Sequence, residues 1–202
     1  MPRRKVSRGT TPSVRITLSK PSFPVNAGPH GPAPSYAVAA IANGGDEMTQ
    51  EYVGPEKAFT LRYPDDWSCV RQALRDNELD RMLLYRTHGA IGAVRVTAWR
   101  LRDEADVRRF VVRTQELYAE PVEGEIEIMD LIRGNIGGKD GFIRISLGAE
   151  DRVPTFTQMF VIGAKSTVVM ATYVVPLHST KTHPQKAESQ TVLHIVTDAS
   201  LT

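Results

Sequence analysis

Reactive side chains occur at several places in this 202-residue chain, and each chemistry they suggest demands its own spacing. The run Gly134-Asn135-Ile136-Gly137-Gly138-Lys139-Asp140 has the look of a phosphate loop. Such a loop needs a glycine where Arg133 stands and a metal-holding hydroxyl where Asp140 stands. Asp140 would repel a phosphate, and Phe142 opens an extended stretch where a helix is required, so the run predicts a turn. His178, His183 and His194 gather near the C-terminus. A zinc site uses histidines about four residues apart on one helical face, whereas the 183–194 separation is roughly 16 Å along a helix. Ser179, beside His178, has no nucleophile elbow around it. Asp65-Asp66 and Glu150-Asp151 are adjacent carboxylates in predicted turns, where neighbours point to water instead of converging across a cleft. Cys69 is the only cysteine; it excludes an internal disulfide and reads as a small buried side chain. These patterns assign no catalytic, cofactor-binding or metal-ligating residue, and no cofactor is expected.

The densest basic group comprises Arg95, Arg100, Arg102, Arg108, Arg109 and Arg113, with Trp99 and Tyr118 close by. Arginine interleaved with large aromatics is the composition of protein-interface anchors. The plainer reading is a solvated helix face paired with Glu104, Asp106 and Glu116 at helical spacing. As a partner-binding patch the sequence nominates Arg95, Trp99, Arg102, Arg109, Arg113 and Tyr118.

The elements that position these residues follow from periodicity. Phe59, Leu61 and Tyr63 alternate with Thr60 and Arg62, a strand pattern. Pro64 cannot donate to a ladder and Asp65-Asp66 suits a turn, after which Trp67 returns to the interior. Extended segments are predicted at 68–74, 81–87 and 91–101, with a polar loop at 75–80 and a hairpin near His88-Gly89. Residues 103–119 predict a helix capped by Asp103, with Val107, Phe110, Val111, Thr114, Leu117 and Tyr118 on its apolar stripe and Pro121 closing it. Strands at 126–133, 141–147, 156–162 and 167–175 follow, with short connections that favour antiparallel neighbours. A second helix is predicted at 183–198, with Thr182 and Gln185 as a capping box. The order strands, helix, strand meander, helix makes an α+β protein: a three-layer α/β/α sandwich around a mainly antiparallel sheet.

Residues 1–47 are different material. They hold seven of the thirteen prolines, and six basic against two acidic residues, so the chain's net charge of +2 divides into +4 here and −2 in residues 48–202. A stretch this poor in apolar period is expected to be disordered. Met48 is the expected biological start; a targeting segment and a basic arm are the alternatives. The body offers no bulk attraction to nucleic acid or anionic membranes, and no apolar run approaches the roughly 18 residues of a spanning helix.

Together, the Phe-x-Leu-x-Tyr-Pro-x-Asp-Trp corner at Phe59 to Trp67, the amphipathic middle helix, the meander and the closing helix resemble the PsbP-like superfamily, which includes PsbP and the DcrB and LpqN lipoproteins. The resemblance covers about Tyr52 to Leu201, with Asp66 standing where members often have glycine. It implies a binding or assembly module, commonly without enzymatic activity. Docking to another protein is the reading taken from it, and the body's charge makes nucleic acid an unexpected partner. Nothing in it specifies an oligomeric state. A cytoplasmic location is expected, with organelle import through residues 1–47 as the alternative. Two further readings stay open. One is a hydrolase or ligand-binding enzyme with a site between sheet and helix, which needs a pocket holding a histidine or carboxylate of shifted pKa. The other is polyanion binding through the tail, which would weaken steeply with salt.

Overall fold

The computed structural model describes residues 47–119, 127–150, 153–177 and 183–202. The expectations for residues 1–46, for Pro121, Glu150, Asp151, His178, Ser179 and His183, and for the Thr182–Gln185 capping box lie outside the described residues or side chains.

Seven strands form an all-antiparallel sheet: β3 (Trp67–Arg71), β4 (Asp80–Arg86), β5 (Ala93–Arg100), β6 (Glu127–Ile136), β7 (Lys139–Glu150), β8 (Val153–Ala164) and β9 (Thr167–Pro176). Their spatial order is β3-β4-β5-β9-β8-β7-β6, so β5 reaches across to β9 and the meander of β6 to β9 runs back from it. β5 pairs with β9 through Val96 opposite Ala171 and Trp99 opposite Val168. The helix α1 (Glu104–Leu117) follows β5 and lies on one face; α2 (His183–Thr197) lies on the other. The expected sandwich is what forms.

One strand sits differently from a single-sheet expectation. β2 (Phe59–Tyr63) joins β1 (Gln50–Val53) and the two-residue β10 (Ser200–Leu201) in a separate three-stranded sheet. Its buried side chains, Phe59, Leu61 and Tyr63, pack with Val192, Ile195 and Val196 of α2 onto Leu84, Val96 and Ala171 of the main sheet. Trp67 is buried in the same core, its backbone N–H bonded to the Pro64 carbonyl at 3.1 Å, so the aromatic–proline corner joins the two sheets. Burying these rings removes a large apolar area from water and stabilises the entry of the fold.

The opposite layer has a smaller core of Val107 and Val111 against Phe142, Val161 and Val168. Helix and sheet approach closely at Gly163, where an added Cβ would stand 2.6 Å from Val107 Cγ1. Two expectations are corrected. Leu117 was placed on the helix's core stripe but is 74% exposed: at about 100° per residue it lies roughly 80° round α1 from Val107, at the margin of the stripe. The polar loop 75–80 ends one residue early: Asp80 opens β4 and is fully buried.

Candidate functional site

Helix α1 starts where the sequence places it. Asp103 caps it by accepting from the Asp106 N–H at 2.8 Å, satisfying one of the free amides of the first turn. Arg102 and Arg109 both donate to the Asp106 carboxylate, and these bonds hold its pKa below the usual range. Arg108 reaches Glu104 at 2.6 Å. The basic residues at the helix start are therefore internally neutralised.

The other end is built differently. Along the flank facing β5 and β9, Phe110, Arg113, Leu117 and Tyr118 stand over Trp99 and Met170 and bound a groove of about 430 Å³. Trp99 and Phe110 form its firm inner corner, their ring centroids 5.4 Å apart in a tilted arrangement. Of the six residues nominated from sequence, Trp99, Arg113 and Tyr118 meet here. Arg102 and Arg109 are tied to Asp106, and Arg95 is exposed on the same face of the sheet without lining the groove. Sequence reasoning missed Met170 as a lining residue; its even-numbered place between Val168 and Thr172 on β9 was the available signal.

Charge on this face is unbalanced. Among the described residues the guanidinium groups of Arg75, Arg95, Arg113, Arg133 and Arg144 have no carboxylate partner, and all but Arg75 stand on the α1 side of the sheet or on α1 itself. Glu116 is the one carboxylate of α1 outside an ion pair.

The remaining candidates among the described side chains resolve into structure. Gly137 and Gly138, at φ of 56° and 82°, form the two-residue turn between Ile136 and Lys139, a hairpin connection and not a phosphate cradle. Asn135 Oδ1 accepts from the Gly138 N–H at 2.7 Å. Lys139 Nζ donates to the carbonyls of Gly137 and Thr197, both at 2.7 Å, and so caps the C-terminal end of α2; burial pulls its pKa down. His194 is exposed on α2, and among the described residues no cluster of His, Cys, Asp and Glu has metal-binding geometry. Asp66 accepts from Arg86 Nε at 2.6 Å. Burial pushes the Cys69 thiol up to about 11.

Two buried carboxylates went unnoticed in the sequence. Asp80 accepts from the Tyr52 hydroxyl at 2.5 Å, from Arg71 at 3.2 Å and from the Arg81 N–H at 3.0 Å. Glu188 accepts from the Gly92 N–H at 2.9 Å and the Tyr173 hydroxyl at 3.1 Å, joining α2 to β9 and to the entry of β5. Each acceptor is supplied by donors from distant chain segments, the arrangement of a tie between layers.

No family model and no curated protein matches this sequence. Solved structures do match in fold. A protein of Bacteroides thetaiotaomicron superposes with a TM-score of 0.52 at 13% identity, over 77% of this chain and 49% of that one, so the chain spans about half its length. LpqN of Mycobacterium tuberculosis, described as involved in cell envelope biogenesis, gives 0.51 at 12% identity over 71% of this chain and 83% of its own. The cyanobacterial PsbP of Synechocystis gives 0.49 at 11% identity over 76% and 92%. The class is thus defined by architecture: an α+β sandwich with a meander sheet, shared with LpqN. The chain shares its fold with LpqN, and no helix among its described residues is long and apolar enough to cross a membrane.

Proposed function

We propose that this chain is a non-catalytic docking module whose working surface is the groove between α1 and strands β5 and β9, and that its partner is a protein segment pairing a bulky apolar residue with acidic ones. The groove carries this reading. Trp99, Phe110, Leu117 and Met170 offer an apolar seat large enough for one aromatic or branched side chain, and Leu117 stands in water without covering. The unpaired guanidinium of Arg113 on its wall, with Arg95 and Arg133 on the same face, favours an acidic partner. An assembly or chaperone-type role in the cytoplasm belongs to the same proposal.

Site-specific photocrosslinking in the native cell tests it. A photoreactive phenylalanine at Leu117 is expected to form adducts with a defined protein, and one at Val53, exposed on β1, is not. Equal adduct patterns at the two positions, or adducts at Leu117 that persist when Trp99 is replaced by Ala, overturn it.

A further inference from the structure

Arg144 is the one guanidinium that the described structure buries without an acidic partner. It is 4% exposed, on β7, between Leu131 of β6 and Met159 of β8. Its Nη1 donates to Ser146 Oγ at 3.1 Å, while its Nε has no hydrogen-bond partner. The Tyr118 ring lies over it, 6.0 Å from Cζ to the ring centroid. An uncompensated charge in so dry a place is costly, and native proteins rarely keep one without a use. Tyr118 is also a wall of the docking groove, so one ring separates the apolar seat from the buried cation. The row across the sheet runs Arg144, Met159, Thr172, Arg95, which places the second arginine three strands away, about 14 Å. Ser146 and Thr157 form the adjacent row. A guanidinium with an unpartnered Nε and a hydroxyl beside it is made to receive an anion.

We propose that Arg144 is the receptor for a carboxylate of the docked protein segment, and that Tyr118 is the gate the segment displaces to reach it. The inference rests on the docking reading and deepens it by assigning the acidic half of the partner motif to a specific residue. A single planar fork among Leu131 and Met159, with one hydroxyl beside it, suits a singly charged planar carboxylate. A phosphate dianion would call for more donors.

The test is selection from a displayed library of random peptides on the full-length chain, wild type against Arg144→Met and Trp99→Ala. Wild type is expected to enrich peptides that join a large apolar residue to Asp or Glu. Arg144→Met is expected to keep the apolar preference and lose the acidic one, with affinity for a selected acidic peptide falling about tenfold. The same variant is expected to raise the urea midpoint of the free protein, since an apolar side chain replaces an unpaired buried charge. An unchanged acidic preference in Arg144→Met overturns the assignment while leaving the groove standing; no enrichment by any variant overturns the docking reading itself. A lowered urea midpoint for Arg144→Met, matched by the Gln triple variant of Glu120, Glu123 and Glu125, means the chain neutralises Arg144 itself, and the proposal falls. Tighter binding of inorganic phosphate or an oligonucleotide than of the acidic peptide, lost in Arg144→Met, overturns the carboxylate as the ligand.

Discussion

A carboxylate sealed from water needs a donor for each of its oxygens, and Asp80 draws them from three segments: Tyr52 on β1, Arg71 on β3 and the Arg81 amide on β4. The Arg71 arm is largely exposed and contributes little after solvent screening. The Tyr52 hydroxyl and the amide carry most of the tie. Replacing Asp80 with Ala leaves both without an acceptor, and the expected loss is about 2–4 kcal/mol of unfolding free energy, read from urea denaturation. Cys69 offers a separate check. With its thiol pushed up to about 11 by burial, Asp80's charge opposing ionisation further, it is expected to alkylate with iodoacetamide at neutral pH about a hundredfold more slowly than a free thiol. A rate like that of an unfolded control would contradict the packed geometry. At this scale the sequence left the buried acids hidden. The Gly137-Gly138 turn was readable, because a phosphate loop has a spacing rule that these residues break and needs a helix where β7 runs on. Asp80 and Glu188 were not, because burial of one acid is decided by Tyr52 and Tyr173, which no local pattern connects to them.

At the scale of elements, the hairpin between β6 and β7 acts on a helix distant in the chain. Its Lys139 ammonium occupies the C-terminal end of α2, where unpaired carbonyls and the helix dipole favour a cation. Lys139→Met is expected to cost about 1 kcal/mol and to raise hydrogen exchange selectively in the last turn of α2. Gly137→Ala is expected to cost about 2 kcal/mol or more, since the position has φ of 56° and its Cβ would stand 2.2 Å from the Thr197 carbonyl oxygen. Both losses report the same contact, so the double variant should fall short of their sum. Amphipathic period made α1, α2 and the long strands legible before any coordinates. It could not reveal β1 and β10, which are four and two residues long, nor that β2 leaves the main sheet. Period fixes which face a side chain takes, not which strand lies beside it. Leu117 fails for a related reason: it sits at the margin of the stripe, roughly 80° round α1 from Val107, and period alone does not say how wide a face the sheet covers.

For the whole molecule, the buried and half-buried tyrosine hydroxyls and the half-buried thiol set the direction in which pH acts. Desolvation raises the pKa of Tyr173, and the neighbouring Glu188 charge raises it further; desolvation also raises Tyr52 and Tyr63, and lifts Cys69 to about 11. A group whose folded pKa lies above its unfolded value holds its proton more tightly in the folded state. Its stabilising contribution is complete below the unfolded pKa and is lost as pH climbs toward the folded one. For Cys69 that window runs from the ordinary 9.0 to about 11, and for the three tyrosines it begins at the ordinary 10.0. Unfolding free energy is therefore expected to be flat from neutrality to about pH 9 and then to fall, each fully engaged group adding up to about 1.4 kcal/mol per pH unit. Tyr173, wholly buried, should show this most clearly. In Tyr173→Phe the alkaline slope should be shallower by about one such group, even though the lost bond to Glu188 lowers stability at neutral pH. Urea midpoints measured across the alkaline range, with tyrosinate absorbance followed in parallel, read both quantities. Tyrosinate absorbance rising for Tyr173 before unfolding, or an unchanged slope in Tyr173→Phe, would mean that the layer joined by Glu188 opens to water while the rest of the sandwich stays closed.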